Sequence, residues 1–172
     1  MNLAIPHSAF LHTNVMFTEP KNNNIMDGQF TKILYSTEMY TMNEIYVILP
    51  LKAYRDNYSK SVVFFNIQNP VNQECIHLFT EIERAILDLY MKNTGSTKTP
   101  LYKLGEQLGS GTMNLYSVNY FGTNASGAKP TGLNPNTMSQ LIHPKYTLKM
   151  SGIWETETEI GITYKVIETM YV

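Results

Sequence analysis

Short runs of alternating apolar and polar residues on either side of one amphipathic segment, followed by a stretch crowded with glycine and proline, predict a mainly β domain with one helix. The order is three strands, a helix, an ambiguous element, a long loop and a closing hairpin. A small OB-fold-like β-barrel accommodates that order, with its first three strands as a meander. A split α+β sheet accommodates it too. At 172 residues and 43% apolar content, the chain is long enough for one domain with a core that needs no disulfide or metal. The expected division is an N-terminal arm over 1–28 and a domain over 29–172 that carries a long glycine-rich loop over 105–144.

Each element rests on its own residues. Positions 1–28 show no sustained period and include Asn14 and the Asn22, Asn23, Asn24 run, hence the arm. Phe30, Lys32, Leu34 and Ser36 then alternate with Thr31, Ile33 and Tyr35, which predicts a strand. Ile45, Tyr46, Val47, Ile48 and Leu49 predict a second, and Val62, Val63, Phe64 and Phe65 a third. Past Asn69 and Pro70 the period changes. Ile76, Phe79, Ile82 or Glu83, Ile86 and Tyr90 recur every three or four residues, with Asn72 as the expected N-cap and Asn93 and Gly95 as the stop. Residues 101–108 fit a strand or a short helix equally. The 105–144 stretch holds six of the ten glycines and three of the eight prolines, too many for one regular element, and a hairpin near 115–121 is expected within it. Residues 146–153 and 160–167 alternate again and predict the closing hairpin.

Net charge is −1, with 13 Lys and Arg against 14 Asp and Glu, but the charges are segregated. Residues 92–149 carry six lysines against Glu106 alone, whereas the helix and the closing hairpin are acidic. A polyanion responds to the local potential of a groove and not to the total charge. Aromatics are interleaved in the basic segments of a chain with 12 Tyr, 7 Phe and one Trp. Tyr54 and Tyr58 lie among Lys52, Arg55 and Lys60, and Tyr102 is beside Lys103. Tyr116, Tyr120 and Phe121 precede Lys129, and Tyr146 stands between Lys145 and Lys149. Cations that follow phosphates and rings that stack on bases compose a single-strand groove. Solvated lysines beside half-buried strand tyrosines have the same composition.

The segment Leu148-Lys149-Met150-Ser151-Gly152-Ile153-Trp154-Glu155, followed by Ile160-Gly161-Ile162-Thr163-Tyr164-Lys165, resembles the closing strand pair of OB-fold single-stranded DNA-binding proteins of large DNA viruses and related mobile elements. The resemblance spans about 30–166, with 30–37 as a weaker match. It implies sequence-independent coating and protection of single-stranded DNA during viral or mobile-element replication, without catalysis or cofactor. Lys149, Trp154, Tyr164 and Lys165 lie in the matching hairpin. Many replication single-strand binders end in an acidic partner-recruiting tail, whereas this sequence ends Met170-Tyr171-Val172. Strict alternation groups Trp154 with Leu148, Met150 and Gly152, which favours a core anchor over a base-stacking ring.

No acid, base or nucleophile constellation emerges. His7, His12, His77 and His143 are scattered, Cys75 has no neighbouring base, and Gly109-Ser110-Gly111 lacks the Gly-Lys-Ser/Thr of a phosphate loop. A non-enzyme with no cofactor and no metal is expected. Its expected partner is single-stranded DNA or RNA, with self-association and without a membrane. A lone cysteine and an N-terminus without a basic leader predict an intracellular location, the host nucleus or a cytoplasmic replication site for a viral protein. The alternative is a viral structural or scaffold protein that assembles through a tyrosine-rich sheet.

Overall fold

The computed structural model describes residues 4–23, 27–55, 61–116 and 145–169. These form β1 (Val15–Phe17), β2 (Lys21–Asn22), β3 (Gln29–Ser36), β4 (Thr41–Asn43), β5 (Ile45–Leu49), β6 (Ala53–Arg55) and β7 (Val62–Phe65). Then come α1 (Pro70–Thr94), β8 (Thr99–Leu101), α2 (Lys103–Gly109), β9 (Thr112–Tyr116), β10 (Lys145–Glu155) and β11 (Glu159–Thr169). The strands make one 11-stranded sheet with the main order β1-β3-β10-β11-β9-β7-β6. The expected OB-like barrel is therefore wrong. The sheet is open, mixed and covered by helices on one face, an α/β architecture.

The reason lies in pairing partners. β10 and β11, 11 residues each, form the expected closing hairpin and become the centre of the sheet, flanked on both sides. β5 pairs with β10 and not with β3, and β7 lies on the far side between β6 and β9, so the first strands form no meander. β8 and β9 join β11 in parallel, so the open sheet is mixed. Alternation specifies that a segment is a strand with one buried face. It does not specify its neighbour.

α1 starts where Pro70 fixes the first helical position and the Asn69 side chain accepts the Val71 N–H at 3.0 Å. Asn69 is therefore the N-cap in place of Asn72. The buried Asn72 amide instead bonds the Lys52 backbone on both sides and the Asn66 carbonyl, tying the start of β6 to the helix. Gly95 closes α1 at φ 68°, a left-handed conformation that glycine adopts without strain. Cys75, Phe79, Ile86, Leu87 and Tyr90 bury one stripe of α1 against Ile33, Tyr35, Leu148, Met150, Ile153 and Ile162. Burial of each such side chain contributes about 1.5–3 kcal/mol. No helix among the described residues is long and apolar enough to cross a membrane.

Segments 4–23 and 103–116 differ from the arm and loop expectation where they are described. Ile5 is buried and bonds β5 through Tyr46 O and Ile48 N, and Val15 is buried in β1. The ambiguous stretch resolves into both options, β8 and then α2. Residues 117–144, with most of the expected loop and hairpin, lie outside the described residues.

Buried acids hold the helical layer together. Glu83, wholly buried on α1, accepts the Leu104 N–H at 3.0 Å and the Gly105 N–H at 2.8 Å, so it caps the start of α2. Burial pushes its carboxyl pKa up, against the lowering effect of those two N–H groups. Glu155 on β10 accepts the Tyr90 hydroxyl and pairs with Lys98 at 2.9 Å, and Tyr90 also meets Thr31 at 2.9 Å.

Candidate nucleic-acid interface

The face of the sheet opposite the helices is set by the register of β10. Tyr146, Leu148 and Met150 point to the helices, so Lys145, Thr147 and Lys149 point away. At Ser151 the register slips. Met150 pairs with Tyr164 but Gly152 pairs with Thr163, a β-bulge that shifts every later residue to the other face. Ile153 and Glu155 thus enter the core, and Trp154 joins Lys149 on the open face. The expectation that Trp154 shares a face with Leu148 and Met150 is corrected by this one extra residue.

Trp154 lies over Gly161: a Cβ there would stand 2.5 Å from Cζ2 and 2.9 Å from Nε1 of the indole. Phe30, which pairs across the strands with Trp154, covers Gly152 in the same way, with Cζ 2.4 Å from the position of an added Cβ. Two rings resting on two glycines form a low aromatic floor. Further along the face, Tyr54 on β6 is 64% exposed and stacks on Phe64 of β7 with centroids 6.1 Å apart. Tyr116 on β9 is 49% exposed, with Lys165 Nζ 4.9 Å from its ring centroid.

The lysines of this face differ in their surroundings. Lys32, Lys145 and Lys165 are exposed. Lys149 is half-buried, pairs with Glu44 at 2.8 Å and lies 5.7 Å from the Tyr46 ring centroid, while the Tyr46 hydroxyl donates to the same carboxylate at 3.1 Å. Burial alone would lower the Lys149 pKa, but its bond to Glu44 and the charges of Tyr46 and Glu44 leave it raised. Burial would likewise raise Glu44, yet hydrogen bonds from Lys149, Tyr46 and Ser151 hold it below the usual carboxylate range. Lys149 is a charged group whose charge is already offset.

Of the sequence-expected set, Tyr54, Tyr116, Lys145, Lys149, Trp154 and Lys165 share the open face. Others lie elsewhere. Tyr146 is 2% exposed in the core. Tyr102 lies under the Arg84 guanidinium, 5.3 Å from its centroid, and Lys103 pairs with Glu106 on α2 at 3.6 Å. Tyr164 reaches α2, its hydroxyl 2.8 Å from Gln107 Oε1. Lys52 is exposed ahead of β6. Arg55 is described only as backbone in β6, and Tyr58, Lys60, Tyr120, Phe121 and Lys129 lie outside the described residues. Sequence reasoning missed Phe30, Lys32, Tyr46 and Phe64, all of which its own alternation places opposite a buried neighbour.

Two further features bear on chemistry. Among the described residues no three His, Cys, Asp or Glu side chains are grouped to hold a metal ion. Cys75 is buried and burial pushes its pKa up to about 12, so at neutral pH it is a thiol and not a nucleophilic thiolate. No family model, curated protein or solved structure matches the chain.

Proposed function

We propose that the protein binds single-stranded nucleic acid without sequence dependence, along the open face of the sheet, and coats single strands during replication, the role implied by the sequence resemblance of its closing hairpin. The observation that supports this reading is the sharing of one helix-free face by Trp154, Phe30, Tyr54 and Tyr116 with Lys32, Lys145 and Lys165. Rings lying flat on a sheet offer a face to an unstacked base, at about 1–3 kcal/mol per base, and neighbouring ammonium groups take the phosphates. A duplex keeps its bases inside and gains only the phosphate part. The basis moves from a barrel groove to an open platform, and the chemistry asked of the residues is unchanged.

The test is anisotropy of a labelled oligo-dT and of a duplex of equal length. With three phosphates met by Lys32, Lys145 and Lys165, the logarithmic salt slope is about −2, so affinity falls roughly 20-fold between about 50 and 200 mM salt. Charge reversal of Lys32 and Lys165 together abolishes binding at the higher salt. Equal or tighter binding of duplex, or indifference to both reversals, overturns the proposal. A second reading, self-assembly through the same face, is favoured by the exposure of Tyr54 on the edge strand β6. Sedimentation without nucleic acid distinguishes it, since it requires a large assembly that oligo-dT does not alter.

A further inference from the structure

The register of the open face sets its rings and cations along one line. Trp154 rests over Gly161, and Tyr116 on β9 stands opposite Ile167, so the two rings mark points on β11 six residues apart. At about 3.3 Å per residue they are about 20 Å from each other along the strand. Alternation lays Gly161, Thr163, Lys165 and Ile167 on the open face over this interval. Two rows of charge cross it. Lys32 shares a row with Gly152 and Thr163, and Lys149 directly faces Lys165. Like charges so placed repel, and Glu44 offsets one of them, while Lys165 stays exposed against the Tyr116 ring.

Tyr54 lies off this line. Its strand is the third from β11, about 14 Å to the side at about 4.8 Å per strand, and its ring already stacks on Phe64. A crosswise path from Trp154 to Tyr54 would follow β9 and β7. Their open-face residues are Thr112, Asn114, Val62 and Phe64, without a cation among them. A polyanion is held where ammonium groups meet successive phosphates, and a ring at each end adds a stacked base. The lengthwise path has both, and the crosswise path has rings alone.

We infer that the bound strand runs lengthwise along β11, one base on Trp154 and another on Tyr116, with intervening phosphates at Lys32 and Lys165, and that Tyr54 takes no part. This path presupposes the single-strand reading above and adds direction and footprint to it. An unstacked strand advances further per nucleotide than a duplex strand, which rises about 3.4 Å, so no more than about six nucleotides join the two rings. Competition anisotropy with oligo-dT of increasing length reads the path. In the wild type, affinity steps up roughly 5- to 150-fold once the oligonucleotide reaches both rings, at or below about six nucleotides. Tyr116→Ala loses the step, whereas Tyr54→Ala, also at an exposed position, keeps it, and both variants melt as the wild type does. A step lost in Tyr54→Ala, kept in Tyr116→Ala or absent from the wild type overturns the lengthwise path and leaves the single-strand reading standing. Failure of oligo-dT of every length to bind at low salt overturns that reading, and the path with it.

Discussion

Glu44 is the residue whose removal should strengthen binding. It sits between β4, which pairs with β3, and β5, which pairs with β10, at φ 69°, and its N–H donates to the Ile33 carbonyl at 3.1 Å. Its carboxylate holds Lys149 at 2.8 Å and so withdraws one positive charge from the open face. Glu44→Gln keeps the size and the acceptor for Tyr46 but removes the anion. One added phosphate contact steepens the logarithmic salt slope by about 0.7 and raises affinity about fivefold at about 0.1 M salt. Because the pair is partly exposed, the stability change stays below about 1 kcal/mol. Lys149→Gln in the wild type is nearly neutral for binding and cancels the gain in the Glu44→Gln background. The sign with pH agrees. The Glu44 pKa is depressed on folding, so the stabilising pair is present above the ordinary carboxylate range and is lost as pH falls through its lowered value, where affinity rises as in the Gln variant. Anisotropy with oligo-dT over a salt series reads these quantities. An unchanged slope and affinity in Glu44→Gln would refute the placement of the strand next to Lys149.

Four further outcomes are expected. Tyr116→Ala, at an exposed position, weakens oligo-dT binding by about 1–3 kcal/mol, roughly 5- to 150-fold, and leaves the melting temperature unchanged. Gly161→Ala places a Cβ 2.5 Å from the Trp154 ring, lifts the indole toward water, red-shifts its emission and costs about 1–3 kcal/mol by thermal melting. Glu83→Gln retains one acceptor for two buried N–H donors and costs about 1–3 kcal/mol. Because the Glu83 pKa is raised on folding, wild-type stability falls as pH climbs from the ordinary carboxylate range through that raised value, and the Gln variant loses this slope in denaturation curves. Tyr90→Phe strips Glu155 and Thr31 of a shared partner and lowers stability by about 1–3 kcal/mol in chemical denaturation, with Glu155 left to Lys98.

Local structure was legible where a period ran uninterrupted. The strands β3, β5 and β7, the stripe from Phe79 to Tyr90 and the closing hairpin could all be read along the chain, and the helix stop at Gly95 followed from glycine chemistry. Topology was not legible, because the residues that choose a strand's neighbour lie far away in sequence, as Tyr46 does from Lys149. The barrel followed from assuming that consecutive strands pair. The placement of Trp154 depended on a parity that Ser151 reverses. A bulge adds one residue to the count, so Trp154 was grouped with the core; Gly152, two residues before it, was the local sign that the strand could bulge there. The offset of Lys149 by Glu44 was hidden for the same reason, since the two residues meet only through the pairing of β5 with β10. Phe30 and Lys32 were readable from alternation alone, once the face opposite Thr31 and Ile33 is recognised as open.

The most direct test uses the chain's single tryptophan as its own reporter. Trp154 lies on the open face, so titration with unlabelled oligo-dT should quench its emission saturably, with a midpoint that matches anisotropy and shifts with salt, while duplex leaves it little changed. Tight binding of oligo-dT with Trp154 emission unaltered would contradict the account, because the strand would then occupy some other surface.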